Sequence, residues 1–87
     1  MNYIILREIS LIPGTATGKT KHFLGNMELP MPAKLQIAQY ANDSGFYLFY
    51  LDDQGSIMTD TYHDSIEGAM DQAQCEFNTE EKDWKIR

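Results

Sequence analysis

The sequence predicts an α+β fold: a mostly antiparallel β-sheet, made of an N-terminal strand and a three-stranded meander, with one amphipathic α-helix on one face. Three observations predict it. The run Phe46–Leu51 is wholly apolar and aromatic, and similar polar corners bracket it, Asn42-Asp43-Ser44-Gly45 and Asp52-Asp53-Gln54-Gly55. Both corners place an Asx residue first and Gly last, the chemistry of a tight hairpin turn whose Gly takes the left-handed conformation. After the second hairpin, Ile66, Ala69, Met70, Ala73 and Phe77 recur at 3.6-residue spacing, the buried stripe of a helix.

The elements follow in chain order. Residues 3–12 are rich in β-branched and apolar side chains. Alternation puts Ile4, Leu6 and Ile12 on one side and Tyr3, Ile5, Ile9 and Leu11 on the other, as in a central strand buried on both faces. Pro13-Gly14 ends it. Residues 14–32 form an irregular loop, polar at first, because Gly25, Pro30 and Pro32 forbid a long regular element. Phe23, Leu24, Met27, Leu29 and Met31 are expected to pin its later part to the domain.

Residues 33–40 alternate as a strand and open the meander. Pairing Asn42 with Gly45 and Asp52 with Gly55 sets a register. One face then carries Leu35, Ile37, Phe46, Leu48, Tyr50, Ile57, Thr59 and Thr61. The other carries Ala38, Tyr40, Tyr47, Phe49, Leu51, Met58, Asp60 and Tyr62. Both faces are apolar and aromatic, and one helix covers only one of them. That helix is expected to start at Asp64, with Glu67 completing a capping box, and to stop at Asn78. Glu67, Gly68, Asp71, Gln72 and Cys75 should point outward. In the tail, residues 79–87, Trp84 and Ile86 alternate as a short edge strand, with Trp84 a core anchor.

Eighty-seven residues make a single domain, 1–87, of ordinary globular composition. One cysteine, Cys75, precludes an internal disulfide and suits a reducing compartment. The N-terminus lacks the basic and apolar regions of a signal peptide, and no stretch is long and apolar enough for a bilayer. A cytoplasmic protein without a membrane role is expected. Charge is unevenly spread: residues 1–42 carry net +2 and residues 43–87 net −8, within a total of −6. From Asp52 to Glu81 nine acids occur and no Lys or Arg. Such a surface repels phosphate backbones and attracts basic partners. Nucleic-acid binding is therefore not expected, although Tyr40, Tyr47, Phe49 and Tyr62 imitate a base-stacking platform.

No motif specifies a reaction. Gly14-Thr-Ala-Thr-Gly18-Lys19-Thr20 resembles a phosphate-binding loop, but only three residues separate its glycines where four are needed, and no full helix can follow. His22, His63 and Cys75 lack the paired spacing of a zinc site. No metal, cofactor or catalytic residue is expected. Cys75, outward on an acidic helix, has nothing to activate its thiol. Asp60 alone should project from an otherwise apolar face, opposite Tyr47 and beside Tyr62. It reads either as a rim charge that blunts sheet association or as a polar recognition residue in an aromatic patch.

The run from Gly45 to Phe77, with Trp84 after it, resembles a group of small bacterial proteins of unassigned function. In size, acidity and layout the chain is also similar to immunity proteins, which neutralise toxins by binding them. Neither resemblance carries over a functional residue. The expected function is a non-enzymatic interaction module, an inhibitor or immunity-type partner of a basic protein, with Tyr40, Tyr47, Phe49, Met58, Asp60 and Tyr62 as binding residues. Self-association through the uncovered face is the variant of that reading. The rival is a small-molecule binder or small enzyme, with Tyr47, Asp60 and Tyr62 lining a pocket under residues 14–32.

Overall fold

The computed structural model describes residues 2–87. Five strands form the main sheet in the order β6-β5-β4-β1-β7, all neighbours antiparallel: β1 (Tyr3–Ser10), β4 (Lys34–Tyr40), β5 (Phe46–Leu51), β6 (Ile57–His63) and β7 (Lys85–Ile86). The helix α1 (Ile66–Phe77) packs on one face, and β2 (Phe23–Leu24) pairs with β3 (Met27–Glu28) in a separate small hairpin. The predicted α+β class and meander are present.

The helix lies close to the sheet because its contact stripe is made of small residues. Ala69 and Ala73 are completely buried and Phe77 nearly so, against Leu35, Ile37, Leu48 and Tyr50. Burying Phe77 contributes about 1.5–3 kcal/mol. Trp84 enters the same core, while Ile86 in β7 faces solvent. The helix begins one residue later than expected. Ser65, not Asp64, is the cap, and its Oγ accepts from the Gly68 amide at 2.9 Å. Asp64 instead stays exposed. Asn78 ends the helix in the left-handed conformation, φ 58°.

Three further expectations need correction. The meander register is shifted by two residues: Ala38 pairs with Tyr47, Tyr47 with Tyr62, and Phe49 rather than Tyr47 with Asp60. A two-residue shift preserves each residue's face, so the predicted faces survive except at one end. There a β-bulge leaves Met58 unpaired and puts Ile57 opposite Leu51, on the other face from its predicted one. The N-terminal strand is not buried on both faces either. A bulge at Leu6 switches its alternation, so Ile5 belongs to the far face and Ile9 to the helix-side core, and Ile4 is exposed.

Residues 14–32 are irregular apart from the hairpin, and they attach to the helix's C-terminal end. Thr17 supplies what that end lacks: its amide donates to the Glu76 carbonyl and its Oγ1 to the Cys75 carbonyl, both at 2.7 Å. The hairpin tip is not pinned by its apolar residues. Phe23, Leu24 and Met27 are exposed, and only Leu29 and Met31 are half-buried.

Candidate interaction surface

The face of the sheet away from α1 has a core of its own, and every member comes from the strands. Ala38, Phe49 and Leu51 are buried there, with Ile5, Tyr40 and Tyr47 packed around them. Among the described residues no helix or loop contributes, because α1 and the Thr17 and His22 contacts of the long loop lie on the other side.

Four tyrosines cross this face in a row, one from each of β1, β4, β5 and β6. Pairing dictates the row: Tyr3 stands opposite Tyr40, and Tyr47 opposite Tyr62. Their ring centroids are 5.4 Å (Tyr3–Tyr40), 5.1 Å (Tyr40–Tyr47) and 5.1 Å (Tyr47–Tyr62) apart, all edge-to-face. Such contacts are favoured by the ring quadrupole. Phe49 lies beneath the row, 5.2 Å from Tyr3, and is 1% exposed. It is the floor of the patch, so its expected role as a direct contact is corrected. Tyr62 is 50% exposed and is the most open of the row.

Acids border the aromatic row. Asp43 holds the β4–β5 turn by accepting from the Gly45 amide at 2.9 Å, and its other oxygen lies 3.5 Å from the Tyr47 hydroxyl. Asp60 is exposed beside Tyr62 on β6 and forms no ion pair among the described residues. The phenols of Tyr47 and Tyr62 are held above the usual tyrosine range, first by desolvation and then by the negative charge of Asp43, with Asp60 adding at Tyr47 and Asp64 at Tyr62. Both remain neutral hydroxyls able to donate. A cleft of about 440 Å³ lined by Asn2, Tyr3, Gln39, Tyr40 and Asp43 continues the patch past the row.

The far end of this face is polar, which narrows the expected apolar surface to one half. There Glu8 accepts from Gln36 Nε2 at 3.0 Å and lies 3.4 Å from Lys34 Nζ and 3.9 Å from the Arg87 guanidinium. The Gln36 hydrogen bond is the main reason the Glu8 carboxyl titrates below its ordinary value. Partial burial opposes it, and the Lys34 and Arg87 charges reinforce it. Of the six expected binding residues, Tyr40, Tyr47, Asp60 and Tyr62 come together at the aromatic end. Met58 sits at the bulge beside them, and Phe49 underlies them. Tyr3 was missed, although its alternation with Ile5 carried the signal.

A second polar cluster, on the helix side, was not anticipated. Glu76 is 2% exposed, and three donors converge on its carboxylate: the Tyr50 hydroxyl, His22 Nε2 at 2.8 Å and Gln72 Nε2 at 2.8 Å. Gln72 therefore turns inward, contrary to expectation. Desolvation and the hydrogen bond to Glu76 push the Tyr50 phenol far up. Tyr50 also lies 3.5 Å from Thr61 Oγ1, which is 2.7 Å from His63 Nε2. No group of three His, Cys, Asp or Glu side chains among the described residues is placed to hold a metal ion. The cluster is enclosed and fully paired at Glu76, and its evident work is to fasten the loop: His22 reaches the helix while its carbonyl accepts from the Leu29 amide at 2.7 Å. Position 76 is seven residues from Ala69 and three from Ala73, squarely within the buried stripe.

The long loop and the tyrosine row thus lie on opposite sides of the sheet. Tyr47, Asp60 and Tyr62 do not line a pocket under residues 14–32, since the ring of His22, in that loop, lies 4.5 Å from the ring of Tyr50 and tilted against it, on the other face. Among the described residues no helix is long and apolar enough to cross a membrane. Comparison with protein-family models, curated proteins and solved structures finds no match.

Proposed function

We propose that this chain is a non-enzymatic interaction module whose aromatic sheet face docks a basic protein, as an inhibitor or immunity-type partner does in the bacterial cytoplasm. The observation that carries the reading is the row Tyr3–Tyr40–Tyr47–Tyr62, packed on a sheet face that no other element covers among the described residues and edged by Asp43 and Asp60. Tyrosines are favoured at interfaces because they bring large, rigid contact area with a polar tip. The acids steer a basic partner to the patch and select against acidic ones. A rigid patch with a buried floor also loses little side-chain entropy on binding.

The test is an affinity capture from the host with the wild-type chain, followed by purification of whatever is retained and calorimetry against variants. A basic partner is expected whose affinity falls as salt rises. Tyr62→Ala should cost about 2 kcal/mol, roughly thirtyfold in Kd. Lys82→Ala, away from the patch, should cost nothing measurable. A partner that binds wild type and Tyr62→Ala, Tyr47→Ala and Tyr40→Ala equally would overturn the reading.

A further inference from the structure

The tyrosine row ends at an open sheet edge. β6 is the outermost strand, and among the described residues nothing pairs with its far side. The ladder tells which of its backbone groups stand free. The Leu51 carbonyl accepts from the Ala33 amide, on the β4 side of β5. Successive residues of a strand turn their N–H and C=O groups to opposite sides. Tyr47 and Phe49 therefore also turn to β4, while Leu48 and Tyr50 turn to β6, where Thr61 and Thr59 are their partners. It follows that Asp60 and Tyr62 aim their backbone donors and acceptors away from β5, into solvent. The only two β6 residues whose free groups can accept a new strand in this stretch are thus an exposed acid and the most exposed ring of the aromatic row.

A second copy is the wrong occupant. Two antiparallel registers use these groups: one sets Asp60 directly opposite Asp60 of the other copy, with Cα atoms about 5.5 Å apart, and the other sets it opposite Tyr62, leaving the two carboxylates as diagonal neighbours about 7–8 Å apart. Like charges so placed destabilise a pair, and no Lys or Arg between Asp52 and Glu81 offsets them. The same charge favours a strand that presents a cation at that position. We infer that β6 is a strand-addition site for a basic protein: the partner contributes an extended segment with Lys or Arg opposite Asp60 and apolar side chains two residues to either side, against Tyr62 and the Ile57–Met58 bulge. Main-chain hydrogen bonds supply affinity in this mode and the alternate side chains supply selectivity. The inference rests on the docking role proposed for the aromatic face and adds how the partner engages it.

The experiment needs no outside partner, because Asp60→Lys turns this chain into a strand of the required chemistry. Wild type and Asp60→Lys are each expected to sediment as monomers, with Asp facing Asp or Lys facing Lys. Mixed in equal amounts they should form a 1:1 complex of twice the monomer mass that dissociates as salt is raised. In that complex the Asp60 and Tyr62 amides of isotope-labelled wild type should gain protection from hydrogen exchange, while Thr59 and Thr61, already bonded to β5, should change little. Asp60→Thr, which removes the charge and keeps a strand-forming residue, should self-associate through the same edge, and it decides the matter should Asp60→Lys fail to fold. A mixture that stays monomeric with Asp60→Thr also monomeric, association without protection at Asp60 and Tyr62, or a wild-type dimer paired through β6 would each overturn the inference. Those outcomes leave the aromatic face to be judged by the alanine variants, so failure of the edge and failure of the face are separate results.

Discussion

The ring of Tyr62 lies directly over Gly45, so that a Cβ on Gly45 would fall inside the phenol. Gly45 does not have the left-handed backbone that its place in the turn suggested, whereas Gly55, in the matching corner, does, with φ 84°. The two glycines serve different needs. Gly55 closes a turn that Asp52 organises, accepting at 2.9 Å from both the Gln54 and Ser56 amides. Gly45 clears space for a ring. Because that ring is the far end of a half-exposed side chain, Gly45→Ala should push it aside and leave the backbone in place. Stability should change by about 1 kcal/mol or less, while the Tyr62 and Tyr47 ring resonances shift and partner affinity falls as in Tyr62→Ala. Unchanged ring shifts in Gly45→Ala would contradict the contact.

Glu76 should be among the most sensitive positions in the chain. Glu76→Ala leaves the Tyr50 hydroxyl, His22 and Gln72 without their acceptor in a buried site. A loss of about 3 kcal/mol is expected in urea denaturation, since hydrogen bonds to a buried charge are worth more than neutral ones. Tyr50→Phe removes one donor of three and should cost less, about 1–2 kcal/mol. The hairpin should also loosen in Glu76→Ala, with faster amide exchange at Leu29, whose partner is the His22 carbonyl. A loss confined to global stability would separate the carboxylate from the loop.

The elements that were legible in the sequence are those whose neighbours along the chain dictate them. Phe46–Leu51 between its two turns, and the Ala69–Ala73–Phe77 stripe, show their period locally, and both formed as read. The strand faces survived a register error because a shift of two residues keeps the parity. A bulge changes parity by one, and nothing in the residues around Leu6 or Met58 announces one. The loop was legible only as irregular. Its attachments join residues 54 and 58 positions apart, His22 to Glu76 and Thr17 to Cys75, and no local pattern encodes them. Of the candidate interaction surface, the tyrosines of β4, β5 and β6 could be read from alternation. Phe49 could not be told from them, since burial under neighbouring rings depends on Tyr3, which arrives from a strand distant in sequence.

Helix initiation offers a direct check on the corrected cap. Ser65 Oγ bonds the Gly68 amide, and the Asp64 side chain makes no bond to the first turn among the described residues. Ser65→Ala should therefore cost about 1 kcal/mol. Asp64→Ala should change stability by less than about 0.5 kcal/mol. Thermal or urea denaturation of the two variants distinguishes them, and the opposite ranking would return the cap to Asp64.

The last expectation concerns acid. Burial holds the His63 imidazole below its ordinary pKa of 6.5, against the smaller upward pull of the Glu76 and Asp64 charges. A base whose folded pKa is lowered takes its proton more readily when unfolded, so protons favour the unfolded chain. His63 should add no pH dependence well above 6.5. Below it, stability should fall as the pH drops toward the folded value, by at most about 1.4 kcal/mol per pH unit. His63→Gln retains a group able to bond Thr61 but removes the titration. The difference in unfolding free energy between wild type and His63→Gln, measured across this range, isolates His63 from His22 and the carboxylates. Wild type should lose ground relative to the variant as the solution is acidified. A difference that stays flat would mean that the Glu76 and Asp64 charges cancel the effect of burial, and one that moves in wild type's favour would mean that they outweigh it.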